Sequence, residues 1–217
     1  MHVLIINGSP RVKEYSNTDK ILARFTEGLA ENGTTFEQYE ISDRKQWDTI
    51  RDAFYENTDI IIALPLYVEC IPGLLMEFLE TLTPKNDGTR LSFILQSGFA
   101  EGIQLRCGEA YLEKLASYLG CTYNGTLVKG DNFGIRFVGA ETREKITGQY
   151  MQMGCEYARN GGFTSEECRK FTGPEIFPAP VRLLVGLMFR TGAKKNFIKV
   201  AKEWGCTKPL DYRPYET

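Results

Sequence analysis

Two stretches of the chain, Val3-Leu4-Ile5-Ile6 and Ile60-Ile61-Ile62-Ala63-Leu64, are apolar at every position rather than at alternate ones. A strand reads this way when both of its faces are buried, which is the condition of a central strand in a parallel sheet covered by helices on both sides. The segments between follow suit. Ile21, Leu22, Phe25 and Leu29 recur at helical spacing through Asp19–Glu31, and Asn32-Gly33 supplies the stop. Thr35–Ile41 reads as a second strand, and Trp47, Ile50, Ala53 and Phe54 mark a second helix. Leu74, Leu75, Phe78, Leu79 and Leu82 predict a third helix that stops near Pro84. Beyond it come a strand at Leu91–Leu95, a helix over Ala110–Leu119 with Gly120 as its C-cap, and a fifth strand around Tyr123–Val128.

Five such β-α units with short connections describe an α/β protein, a flavodoxin-like three-layer sandwich around a five-stranded parallel sheet in the order 2-1-3-4-5. A ligand then sits outside the carboxyl ends of the strands, where the order reverses between strands one and three. The loops after strands one, three and four are therefore the ones that matter. Past the fifth strand the pattern changes to a helix at Glu141–Asn160, a break at Gly161-Gly162, prolines at 174, 178 and 180, and helices at Val181–Arg190 and Lys194–Trp204. The expected organisation is a core over residues 1–135 and a C-terminal helical extension over 136–217, packed on the core or on a second subunit. That packing is favoured over an interfacial membrane anchor, the reading to which Lys194, Lys195, Lys199 and Lys202 point.

Composition narrows the function classes. In 217 residues, 26 basic and 28 acidic side chains nearly cancel, leaving none of the charge excess of a nucleic-acid binder. The six cysteines form no C-x-x-C pair and His2 is the single histidine, which argues against a metal or cluster site and for reduced thiols in a cytoplasm. The N-terminal apolar run is too short for export, and Leu183–Phe189 is too short to span a bilayer. The partners expected are small molecules or proteins, with no nucleic acid and no membrane span.

The chemistry begins where the first strand opens into Asn7-Gly8-Ser9-Pro10-Arg11 and closes on Ser16-Asn17-Thr18 ahead of a helix. Backbone N–H groups of such a turn and of the helix N-terminus converge on an anion, and the hydroxyls of Ser9, Ser16 and Thr18 add donors. The competing reading is a plain turn at Ser9-Pro10 and an N-cap at Thr18. The loop lacks the P-loop, dinucleotide and phosphatase patterns, so it suits a phosphate that is held and not transferred, such as that of FMN. After the third strand, Pro65-Leu66-Tyr67-Val68-Glu69-Cys70-Ile71-Pro72-Gly73 sets an aromatic ring and two prolines at the mouth of the same site. Such a loop offers backbone polar groups to the edge of a flat heterocycle and an apolar cover to its face. Cys70 reads as an ordinary buried thiol, since nothing in the sequence is placed to activate it.

Gly8-Ser9-Pro10-Arg11, Ser16-Asn17-Thr18 and Pro65-Leu66-Tyr67, with Phe78 beyond Pro72, together resemble the NADPH-dependent FMN reductase family of the flavodoxin-like superfamily over roughly the first 130 residues. The resemblance implies bound FMN, with Ser9, Arg11, Ser16, Asn17 and Thr18 at its phosphate and Pro65, Leu66, Tyr67 and Val68 at its ring. Ser97, Gly98 and Phe99 follow as further ring contacts. It also implies NAD(P)H as co-substrate, hydride transfer through FMN to a flavin, quinone, azo or nitro compound or protein, and a homodimer or homotetramer. No catalytic side chain is required. The chain departs from the family at Met76, where relatives often carry Lys, and at Glu80-Thr81, where an Asp-Arg pair is common. The alternatives are a non-enzymatic flavodoxin-like FMN carrier or binding module and a scaffold with a repurposed site.

Overall fold

The computed structural model describes residues 1–209 and 211–215. Its five strands, β1 (His2–Asn7), β2 (Thr35–Glu40), β3 (Asp59–Pro65), β4 (Arg90–Gln96) and β5 (Thr122–Lys129), form one parallel sheet in the order β2-β1-β3-β4-β5. This is the flavodoxin-like α/β order expected from the apolar runs. Helices α1 (Asn17–Glu31), α2 (Trp47–Glu56), α3 (Gly73–Leu79) and α4 (Arg106–Tyr118) connect the strands in turn.

Consecutive residues of a strand point to opposite faces, and the two central strands feed two separate cores. Leu4, Ile6, Ile60, Ile62 and Leu64 pack with Phe54 of α2, Phe78 of α3 and Leu112 of α4. Val3, Ile5, Ile61 and Ala63 pack instead with Ile21, Leu22 and Phe25 of α1 and with Tyr150 and Tyr157 of a fifth helix, α5 (Ala140–Asn160). Each fully buried aliphatic side chain contributes about 1.5–3 kcal/mol, so an unbroken run such as Ile60–Leu64 stabilises both layers at once.

Helix α1 starts two residues earlier than the periodicity indicates, because Ser16 caps it: its Oγ accepts the Asp19 N–H at 3.1 Å. The third helix stops at Leu79 rather than running on to Leu82, although Leu82 is itself buried. The Thr81 hydroxyl donates to the Phe78 carbonyl at 2.7 Å as the chain turns off the helix.

Helix α5 belongs to the sheet unit. It lies against α1 through glycines on both sides: a Cβ built on Gly28 collides with the Met151 carbonyl oxygen, and one built on Gly154 collides with that of Phe25. Tyr157 then sits edge-on to Phe25, ring centroids 6.1 Å apart, and burial pushes its hydroxyl pKa up to about 12. A short helix absent from the sequence reading, α6 (Glu166–Phe171), is capped by Ser165, whose Oγ accepts the Cys168 N–H. The compact unit runs from Met1 to Glu175, past the residue-135 boundary expected from the sequence, because α5 fills one face of the sheet. A second unit, Ile176–Thr217, contains α7 (Ala179–Met188) and α8 (Lys194–Glu203), joined without a break by a π-helical turn at Phe189–Ala193.

Candidate functional site

The loops leaving β1, β3, β4 and β5 meet at the carboxyl end of the sheet around a cavity of about 230 Å³. β1 is flanked by β2 on one side and β3 on the other, so the crevice lies at the point where the strand order reverses.

The first loop hugs the end of β3. Gly8 donates its N–H to the Ala63 carbonyl at 2.7 Å, and a Cβ at Gly8 would lie 2.9 Å from Leu75 Cδ2. The same Cβ would stand 3.2 Å from the Ala63 carbonyl oxygen, so glycine suits this close approach to the neighbouring strand. Ser9 then takes its place in the wall, its N–H donating to Asn7 Oδ1 at 3.1 Å. Asn17 and Thr18 supply the first turn of α1, where the backbone N–H groups have no intrahelical acceptor.

The loop after β3 contributes Pro65, Leu66 and Tyr67. Beyond Tyr67 the chain folds back on itself, with Tyr67 N–H donating to the Cys70 carbonyl at 2.8 Å and Cys70 N–H to the Tyr67 carbonyl at 3.1 Å. Val68 and Glu69 adopt φ values of 47° and 68°, the left-handed pair that a type I′ turn demands. A β-branched residue pays for that conformation in strain. Cys70, read from sequence as buried, is exposed, because the turn carries it out of the core.

The fourth and fifth loops are stitched together. Asn132 N–H donates to the Ser97 carbonyl at 3.0 Å and Asp131 N–H to the Phe99 carbonyl at 2.8 Å. A Cβ on Gly98 would stand 3.1 Å from Phe133 Cβ. Buried Asn132 uses its Nδ2 to reach the Lys129 carbonyl and the Tyr150 hydroxyl, at 3.0 and 2.9 Å. Its own carbonyl accepts from Asn17 Nδ2 at 2.8 Å, which closes the ring of loops.

Ser9, Arg11, Asn17, Thr18, Pro65, Leu66, Tyr67, Ser97 and Gly98 are therefore brought together as cavity lining. Ser16, Val68 and Phe99 are not among the lining residues. Ser16 is fully buried as the α1 cap, while the Val68 and Phe99 side chains are exposed. Sequence reasoning missed Gln96, Asn132, Phe133 and Arg136, which complete the wall. The signal available for the last three was Gly130-Asp131-Asn132, a turn cluster following the fifth strand.

The polar groups fall into two sets. Ser9 Oγ accepts from Arg11 N–H at 3.3 Å, Thr18 Oγ1 from Gln96 Nε2 at 3.3 Å, and Ser97 Oγ from Phe99 N–H at 3.2 Å. Each hydroxyl has an acceptor lone pair in use, and among the described residues none of the three donates its proton to the protein. They are donors in waiting, accompanied by the guanidinium groups of Arg11 and Arg136. The second set is acceptors: Asn17 Oδ1 and Asn132 Oδ1 are buried and have no partner among the described residues. Lys20, on the next turn of α1, has its pKa lowered chiefly by burial; the Asp19 carboxylate opposes that shift, and the charges of Arg143 and Arg136 add to it.

The family model for NADPH-dependent FMN reductase matches residues 1–121, more than half of the chain. Among solved structures, the chain is similar to an FMN-dependent NADH-azoreductase from Bacillus anthracis in complex with FMN, at 18% identity and a TM-score of 0.52, covering 73% of this chain and 100% of that one. It is similar to a putative quinone reductase from Klebsiella pneumoniae at 11% identity and a TM-score of 0.54, covering 70% and 83% of the two chains. A Trp repressor binding protein from Bacillus subtilis matches at 15% identity and a TM-score of 0.54, over 71% and 98%. At these identities the likeness shows a shared fold. A comparison with curated proteins finds no match. On the span and description of the matching model, the chain belongs to the NADPH-dependent FMN reductase family.

Proposed function

We propose that the cavity holds FMN and that the protein passes electrons from NAD(P)H through it to a second acceptor, a flavin, a quinone, an azo or nitro compound, or a protein. The observation that carries this reading is the division of the lining into hydroxyl donors with two arginines and partnerless buried acceptors. A phosphate dianion fits the first set, and the hydroxyls and ring N–H of a flavin fit the second.

In this reading Ser9, Thr18 and Ser97 donate to the anionic and polar edges of the cofactor, and Arg11 and Arg136 balance its charge. Asn17 and Asn132 accept through Oδ1. Pro65, Leu66 and Tyr67 bound the ring on one side and Phe133 on another, which excludes water from the reacting face. Bound FMN supplies the hydride and electron chemistry. No side chain has to transfer a proton at the reacting atom; the protein holds, orients and shields. One open face serves donor and acceptor in turn, which gives ping-pong kinetics. The exposed rings of Tyr67, Phe99, Phe133 and Phe137 near the mouth suit a second copy in a cytoplasmic homo-oligomer.

The test is the visible spectrum of the purified protein, followed by addition of NADPH or NADH without oxygen. Bleaching of a yellow flavin is the expected result. An oxidised spectrum that persists assigns a carrier role, and a colourless protein that cannot be reconstituted with FMN overturns the proposal.

A further inference from the structure

Between Ala179 and Lys202 every charged residue is basic: Arg182, Arg190, Lys194, Lys195, Lys199 and Lys202, with no acid until Glu203. The whole chain carries a net charge of −2, so this concentration of positive charge is local to one segment. The segment is one continuous helical rod, α7 through the π-turn into α8, about 37 Å long at the usual rise per residue. No residue of α7 or α8 is buried. Val181, Leu183, Leu184 and Met188 are exposed on α7, Phe189 on the π-turn, and Phe197, Ile198 and Trp204 on or next to α8.

The two halves differ in pattern. In α8, Phe197, Val200, Ala201 and Trp204 follow the i, i+3, i+4, i+7 spacing of one face, while Lys195, Lys199 and Lys202 follow i, i+4, i+7 on the opposite one. In α7 apolar residues extend around nearly the whole circumference. An amphipathic basic helix continued by an apolar one suits a sloping position at a bilayer surface, lysines at the headgroups and the apolar half deeper. Among the described residues no helix is long and apolar enough to cross a membrane.

A second observation in the same unit concerns the ligand. Between α8 and the segment that follows it lies a groove of about 500 Å³, lined by Lys194, Lys202 and Lys208 together with Ile198, Ala201 and Pro209, and with Asp211 as the carboxylate among its described lining residues. Three ammonium groups against that carboxylate leave a positive surplus beside a hydrocarbon surface, which matches an anionic headgroup with its attached chain. Two copies of this helix docked on each other would bring like charges together, at a cost that an anionic lipid surface reverses in sign.

We infer that residues 179–204 form an interfacial helix that docks the protein onto anionic lipid bilayers, with the Lys194, Lys202 and Lys208 groove taking a phospholipid headgroup. The test uses the full-length protein and sedimentation with vesicles of phosphatidylcholine alone or phosphatidylcholine with phosphatidylglycerol. The expected result is binding to the phosphatidylglycerol vesicles only, weakened by salt. Leu183→Glu with Leu184→Glu abolishes it, and Lys194→Glu with Lys202→Glu lowers partitioning by roughly tenfold or more. Circular dichroism and visible absorbance of each variant certify that the sheet unit is intact. The proposal is overturned if the protein ignores both vesicles or binds both equally. It is also overturned if sedimentation equilibrium shows Leu183→Glu with Leu184→Glu splitting an oligomer that never binds lipid, since the helix then serves a second copy.

Discussion

The side-chain amide of Asn17 donates to the main-chain carbonyl of Asn132 at 2.8 Å, joining the first turn of α1 to the loop after β5 across the mouth of the cavity. Asn17 Oδ1 remains buried without a partner among the described residues. Replacing Asn17 by Asp turns the donor into an anion facing a carbonyl and adds negative charge to the cavity proposed to hold the FMN dianion. Asn17→Asp is expected to weaken FMN binding about a hundredfold, measured by quenching of flavin fluorescence. An affinity within twofold of the parent removes Asn17 from the cofactor's contacts.

The hydroxyls separate ligand binding from helix capping. Ser9→Ala combined with Thr18→Val removes two hydroxyl donors, and each bond to a charged group is worth about 1.5–3 kcal/mol. FMN affinity should drop by two orders of magnitude or more, with about 1–3 kcal/mol of stability lost where the buried Gln96 amide loses its acceptor. Ser16→Ala should cost about 1 kcal/mol of stability with the α1 cap while FMN affinity is retained, so affinity is the quantity that tells the two variants apart. Equilibrium denaturation alongside FMN titration reads both quantities.

Gly28 and Gly154 allow α1 and α5 to touch backbone to backbone, and a methyl on either meets a carbonyl oxygen of the opposite helix. Neither contact is with a flexible side chain, so relief requires moving a helix. Gly28→Ala or Gly154→Ala is expected to cost about 3 kcal/mol, seen as a lower urea midpoint with an unchanged slope. A loss below about 0.5 kcal/mol means the helices are not so closely apposed.

Asp19 and Glu40 face each other beside Lys13, whose Nζ is 3.9 Å from a carboxylate oxygen of each. Burial is the largest cause raising both pKa values, and the neighbouring Asp19 charge further raises that of Glu40. The folded state thus holds these protons more tightly than the unfolded chain. Their contribution to stability is full below the ordinary carboxylate range and is lost as pH rises through the raised values. Glu40→Gln should flatten the fall in urea midpoint between about pH 4 and pH 7. A variant whose pH profile overlays that of the parent contradicts the pairing.

The turn Tyr67–Cys70 places Val68 at a φ of 47°. Val68→Gly is expected to stabilise the protein by about 1 kcal/mol, because glycine meets no steric penalty there and the valine side chain is exposed. Thermal denaturation measures the gain, and a loss in its place means that the side chain has a packing role.

Strand order was legible because Val3–Ile6 and Ile60–Leu64 are apolar at every position, a pattern that only two-sided burial explains. The loops after β1, β3 and β4 were legible because turn residues and hydroxyls sit directly at the strand ends. Ser16 shows where that reading reaches its limit, since a hydroxyl ahead of a helix has the same sequence signature whether it caps the helix or binds a ligand. Val68 and Phe99 lie in the right loops, yet both side chains are exposed, that of Val68 through a left-handed turn that no local propensity favours for valine. The partnership of Gly28 with Gly154 and of Asn17 with Asn132 joins residues more than a hundred positions apart, and single-sequence periodicity carries no information at that range.

The family match ends at residue 121, whereas Asn132, Phe133 and Arg136 lie beyond it. The cavity is thus assembled from two stretches of sequence, one inside the matched span and a short one beyond it. The clasp between Asn17 and Asn132 is what holds the second against the first, so the lining stays whole only while that one amide keeps its carbonyl.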